Sequence, residues 1–306
     1  MLPVTIAPPQ TGAGLTLFPL IAATVDEAEY DLLPDALEAG TLVITEVGEQ
    51  GTVPELLAIN DGPRDVLVLD GMQLIGAKQN RTVGRSILLA AGTETRIPVS
   101  CMEQGRWRYK ARSMKAALDL SPAKVRRRTR TVEASEASSS SGSAERLSPS
   151  ELLARAQGDV WDAVHESSRK FGVFSETGAL DDVYQAARHR LEEQASRFPP
   201  VEGQVGFVAF LAGTPAGADM LDSPAAYAKL HDRLVRGYLF EALEAGVAGD
   251  DADVERASSF LEDLGRVERR PLPTVGRGRY RSLAGALVGG ELEVAGRVVH
   301  LSAFPA

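Results

Sequence analysis

Only one cysteine, Cys101, occurs among 306 residues. A single thiol excludes an internal disulfide and any metal centre built from several cysteines. Histidine is also scarce. His165, His189, His231 and His300 are scattered, with no two at the spacing of a zinc-binding pair, so no metal site is expected. No apolar run approaches the roughly 20 residues that a spanning helix needs, and no membrane partner is expected. The opening stretch MLPVTIAPPQTGAG has neither a basic start nor a continuous apolar block, so no secretory signal is read and a cytoplasmic location is expected. The glycine-rich stretches at 11–14 and 212–217 lack the Lys-Ser/Thr ending of a phosphate-binding loop and read as ordinary loops.

What is present is an acidic chain, with a net charge of -9, whose charge is unevenly spread. Between Arg106 and Arg130 stand ten Lys or Arg against the single acid Asp119. Such a strip either faces a phosphate-bearing ligand or pairs with carboxylates of the acidic body. Nucleic acid is not an expected partner except through this basic segment.

Residues 1–120 read as a β-rich half. Segments 15–23, 42–47, 56–60, 66–70, 73–78, 85–90 and 95–101 are rich in β-branched and aliphatic residues and are separated by turn signals such as Asn60-Asp61-Gly62-Pro63. This predicts a meander sheet, interrupted at 26–39 by a helical stretch with Pro34 at a first turn. Residues 121–148, rich in Arg and Ser with few large apolar side chains, predict a flexible linker. Residues 149–306 read as a helical α/β half. Ser148-Pro149-Ser150-Glu151 is a helix start, and helices are expected to about 170 and over 180–195, 225–245 and 251–263, with a buried-type strand at 204–212. Paired strands at 286–304 return at the end, so the expected fold class is α+β, with both halves packed into one unit.

Two blocks concentrate polar chemistry. The first is DGMQLIGAKQNR, with Asp70, Gln73, Lys78, Gln79, Asn80 and Arg81. The second is IPVSCMEQGRW, with Ser100, Glu103, Gln104, Arg106 and Trp107. A hairpin between them would set Lys78 to Arg81 beside Glu103, Gln104 and Arg106. Consecutive amides among cations offer donors and acceptors suited to hydroxyls and phosphates, while Trp107 and Tyr109 could stack a base. Glu103 is the candidate general base, with a salt-bridge acceptor as its alternative role. Cys101 reads either as a nucleophile in a cationic field or, preferably, as a small buried side chain on a strand. The same polar blocks could instead satisfy one another and pin a hairpin corner.

The strings DGMQLIGAKQNRTV and IPVSCMEQGRW, with AQGDVWDAV further on, resemble the domain family named for its gene association with ADP-ribosylglycohydrolases and rhodanese-phosphatases. The likeness extends over nearly the whole chain. It implies ADP-ribose or nucleotide-related metabolism, and it names no cofactor. Two functions are therefore expected in competition. One is binding or processing of an ADP-ribose-like or nucleotide ligand at the paired blocks. The other is a non-catalytic module that contacts protein or RNA through the basic segment.

Overall fold

The computed structural model describes residues 3–23, 28–139, 147–246 and 252–306. In chain order it runs β1 (Val4–Ile6), β2 (Gln10–Gly12), β3 (Leu15–Ala22), β4 (Tyr30–Leu32), α1 (Leu33–Glu38), β5 (Leu42–Glu46), β6 (Glu55–Asn60), β7 (Asp65–Val68), β8 (Met72–Gly76), β9 (Arg81–Val83), β10 (Ile87–Leu89), β11 (Thr93–Cys101) and β12 (Met114–Leu120). It continues with α2 (Ala123–Ser139), α3 (Pro149–Phe171), α4 (Leu180–Ala195), β13 (Gln204–Leu211), β14 (Thr214–Leu221), α5 (Pro224–Ala245), α6 (Val254–Arg266), β15 (Glu268–Leu272), β16 (Arg279–Ala284), β17 (Leu287–Val294) and β18 (Arg297–Pro305). The fold class is α+β, as the sequence predicts.

Three sheets share the strands. The largest orders β1, β3, β13, β14, β18, β17, β16, β15, with β2 also on β3, so the first strands and the last belong to one sheet. The division into residues 1–120 and 149–306 therefore does not separate two cores. A small sheet orders β10, β7, β4, its β4 and β7 running parallel. The third orders β12, β8, β9, β11, β6, β5, which is less sequential than a simple meander. Its two edge strands meet at a bridge between Thr45 and Ser113, so this sheet curls back on itself into a small barrel.

Register decides which side chains enter that barrel. Directly paired residues share a face of the sheet. Glu46 pairs with Leu56, Leu56 with Ile97, Cys101 with Arg81, and Arg81 with Leu74. Residues two apart on a strand share that face as well, so Ile97, Val99 and Cys101 point inward together. The barrel is therefore filled by aliphatic side chains along most of its length and by Glu46, Arg81 and Cys101 at one mouth.

The largest departure from the sequence reading is the expected linker. Residues 123–139 form helix α2, which packs on α3, β16 and β17; residues 140–146 lie outside the described residues. Apolar side chains on α2 are few, and Val125, Ala134 and Ala137 are buried. Its ordering rests equally on arginines that enter the protein and find carboxylates. Arg126 bridges Asp70 (2.9 Å) and Asp219 (2.6 Å), and Arg130 reaches Glu133 (2.6 Å), which also takes Arg85 (2.5 Å). A composition argument that counts only apolar area misses ordering of this kind. Helix α3 follows its sequence signals closely. Ser148 and Glu151 form a capping box, Pro149 opens the first turn, and Gly172 ends the helix at φ 64°. Its Leu152, Leu153, Val160 and Val164 are buried, each contributing about 1.5–3 kcal/mol relative to exposure.

Candidate functional site

The two polar blocks meet at the barrel mouth. The β8–β9 turn begins at Gly76, whose φ of +132° and close approach to the Ser113 carbonyl leave no room for a side chain. Beyond it the Lys78 backbone N–H donates to Glu46 Oε1 (2.9 Å), and the Lys78 ammonium donates to the carbonyls of Glu49 (2.6 Å) and Gln50 (2.8 Å). Asn80 follows, its N–H donating to Glu103 Oε2 (3.0 Å). Arg106 closes the network by donating to both oxygens of Glu103 (2.8 and 2.6 Å), to the carbonyls of Ala77 and Arg108, and to Asn80 Oδ1 (3.2 Å). Thr177, from the loop before α4, adds a hydroxyl donor to Glu103 Oε1 (2.8 Å).

These contacts bear on the chemistry open to Glu103. Burial opposes its ionisation, but the hydrogen bonds from Arg106, the Asn80 N–H and Thr177 outweigh burial and hold the carboxyl below its ordinary range. With each oxygen accepting two donors, Glu103 orients the turn and is a poor proton acceptor. The salt-bridge role is the one its geometry supports.

Arg81, one residue along, turns the other way into the barrel and is fully buried. Its Nη1 donates to Gln79 Oε1 (2.5 Å) and to Cys101 Sγ (2.7 Å), and its Nη2 lies 4.0 Å from Glu46 Oε2. Trp107 covers this mouth, its ring 5.4 Å from the Arg81 guanidinium and 5.5 Å from the Lys78 ammonium. Burial pushes the Cys101 thiol above its ordinary range despite Arg81, which matches a buried strand side chain and opposes a thiolate nucleophile.

On the outer side of the same turn lies an open cleft of about 450 Å³. Asn80, Glu103, Arg106 and Thr177 form its floor, Arg108, Tyr109 and Lys110 one rim, and Asp181 and Asp182 at the start of α4 the other. The Lys110 N–H donates to the Ala77 carbonyl (2.9 Å), fixing the cationic rim to the turn. Arg108, Tyr109 and Lys110 are exposed.

Four expected residues stand elsewhere. Asp70 is in the interior cluster with Arg126, where Ser302 also donates to it (3.1 Å), because Asp70 precedes β8 at the end opposite the turn. Gln73 donates to the Asp119 carbonyl (3.3 Å). Ser100 alternates to the barrel's outer face, away from Cys101 and Arg81. Gln104 is exposed and lines a separate groove with His165 and Phe174. The interior cluster is also where His300 comes within ligand distance of Asp70 and Asp219, a grouping that spacing along the chain does not reveal. Arg126 already stands between those two carboxylates as their cation.

Residues missed in the sequence differ in how findable they were. Glu46 closes the strand LVITE in phase with buried Leu42 and Ile44, and a charge in the buried phase of a strand is a readable signal. Thr177 sits in a loop and carried none.

A family model described as the ARG and Rhodanese-Phosphatase-superfamily-associated Protein domain (ARPP-1) matches residues 3–304. The chain belongs to this family. The match includes both polar blocks, the α2 arginines and the returning strands, so the ARPP-1 domain is the whole three-sheet unit rather than either half. No curated protein and no solved structure gives a significant match.

Proposed function

We propose that the cleft beside Asn80, Glu103 and Arg106 binds a phosphorylated small molecule of nucleotide or ADP-ribose type. The observation that carries this reading is the pairing of exposed Arg108 and Lys110 with a pre-ordered polar floor around an open cleft of about 450 Å³. That volume is within the range of about 300–1,000 Å³ typical of small-molecule sites. Guanidinium and ammonium groups suit phosphate, Tyr109 offers a ring face, and Asp181 and Asp182 can accept from sugar hydroxyls. The family's name, which couples ARG with a phosphatase superfamily, agrees with a phosphorylated ligand. Glu103 acts here by orienting the floor, so the reading is of recognition and assigns no bond-breaking step.

The competing module reading draws on the basic segment, and the segment's inner part is otherwise engaged. Lys124 pairs with Glu244 (2.5 Å), Arg126 with two aspartates and Arg130 with Glu133. Of the cations left on the surface, Arg108 and Lys110 line the cleft, where they suit a small anionic ligand, while exposed Arg112, Lys115 and Arg127 stand outside its lining. Thermal-shift measurements with ADP-ribose, NAD and AMP test the reading. A rise in melting temperature with at least one is expected, and no rise with any of them contradicts it.

A further inference from the structure

The two rims of the cleft carry opposite charge. Arg108 and Lys110 stand on one side and Asp181 and Asp182 on the other, and among the described residues no ion pair joins them. Each carboxylate is half used. Gln185 donates to Asp181 Oδ1 (3.4 Å) and Ser175 to Asp182 Oδ2 (2.5 Å), which leaves one oxygen on each without a donor among the described residues. The helix dipole alone favours acids in the first turn of α4, so their presence there is no sign of a ligand by itself. Asn80 supplies the independent sign. It is 4% exposed and lines the cleft floor. Its Oδ1 accepts from the Gly76 N–H (3.3 Å) and from Arg106 (3.2 Å), which fixes the orientation of the amide. Its Nδ2 has no partner among the described residues and is not sealed, so the amide turns its two N–H donors to the open cleft.

We infer that the cleft selects a zwitterionic nucleotide, one whose phosphate meets Arg108 and Lys110, whose ribose accepts from Asn80 Nδ2, and whose positively charged base, a pyridinium, faces Asp181 and Asp182. The inference rests on the proposed phosphate site and adds the charge required at the other end. A neutral base leaves the two carboxylates facing no cation and gains only hydrogen bonds from them. An anionic base is repelled. Both ends of the ligand lie within the one open cleft of about 450 Å³, so no second cavity is needed. Opposite charges held apart on facing rims also fix direction, because a ligand entered backwards meets like charge at both ends.

Nicotinamide mononucleotide and its dihydro form share phosphate, ribose and carboxamide and differ in the charge of the ring. Titration calorimetry of the full chain should give about fivefold tighter binding of the cationic form, a ratio that narrows as salt is raised. Asp181→Asn/Asp182→Asn keeps an acceptor for Gln185 and Ser175 and removes the negative rim. It should bring the ratio of the two affinities to about one without weakening the dihydro form. Equal affinities in the parent, a preference that survives the double substitution, or binding of ADP-ribose with neither mononucleotide overturns the inference. ADP-ribose is the control that separates the two ideas. If it binds in those cases, the phosphate site stands and only the charge selection falls; if no phosphorylated ligand binds, both fall together.

Discussion

Two groups of buried charge stand in contrast. In the interior cluster, Arg126 sits between Asp70 and Asp219, with Ser302 and Tyr238 donating to the same carboxylates. At the barrel mouth, Glu103 and Arg106 are paired as closely, yet an open cleft touches them and the adjoining Arg81 and Glu46 keep unpartnered atoms. A charge pair that is sealed and filled by its own side chains holds elements together. One that borders open volume is within reach of something outside the chain. Burial of polar residues alone does not distinguish the two, nor do unpartnered atoms, since His300 Nε2 beside Asp219 lacks a hydrogen-bond partner as well; the open cleft does.

The contrast can be broken most forcefully at the sealed cluster. Arg126→Ala strands two aspartates and should cost about 3–5 kcal/mol in denaturant unfolding; a loss below about 1 kcal/mol would show that the cluster holds little together. Arg106→Ala frees the Ala77 and Arg108 carbonyls and one side of Glu103. Its expected cost is about 2–3 kcal/mol, with the cationic rim released and ligand affinity falling too.

Acid should distinguish the same pair of regions. Burial opposes ionisation of Asp70, but Arg126, then His300 and Arg130, lower its pKa from 3.8 to about 2. A carboxyl depressed on folding stabilises the native state above its unfolded pKa, and that contribution disappears as pH falls through the folded value. Asp70 should therefore contribute about 2 kcal/mol above pH ~4, lost on going down to pH ~2. Urea unfolding across that window measures it, and a flat profile refutes it. The smallest effect on stability belongs to the rim. Arg108→Ala and Lys110→Ala should leave unfolding within about 0.5 kcal/mol of the parent.

Much of the fold was legible because the periodicities were clean. The strands at 42–46, 55–60 and 93–101 and helices α3, α4 and α5 lie where alternation and three-to-four spacing put them. Helix α2 was not legible, because its order comes from Arg126 meeting Asp70 and Asp219 and from Glu133 meeting Arg85, all partners distant in sequence. At the site, Asn80 meets Glu103 and Arg106 as expected, but Lys78 turns to Glu46, Glu49 and Gln50 and Arg81 to Gln79 and Cys101; the blocks meet through β9 on β11, since β10 leaves the expected hairpin to pair with β7. The placement of Asp70 was not expected, since five residues of strand carry it to the far end of the barrel wall. Ser100 failed for a simpler reason: it neighbours Cys101 and so faces the opposite side of the sheet.

The central claim, that the Arg108 and Lys110 rim and the Asn80 floor hold a phosphorylated ligand, is tested most directly by calorimetric titration of ADP-ribose into the parent and the Arg108→Ala/Lys110→Ala double variant. The account predicts saturable binding to the parent, weakened by salt, and at least about a tenfold loss in the variant with its fold intact. Unchanged affinity in that variant, or no binding to the parent, contradicts it.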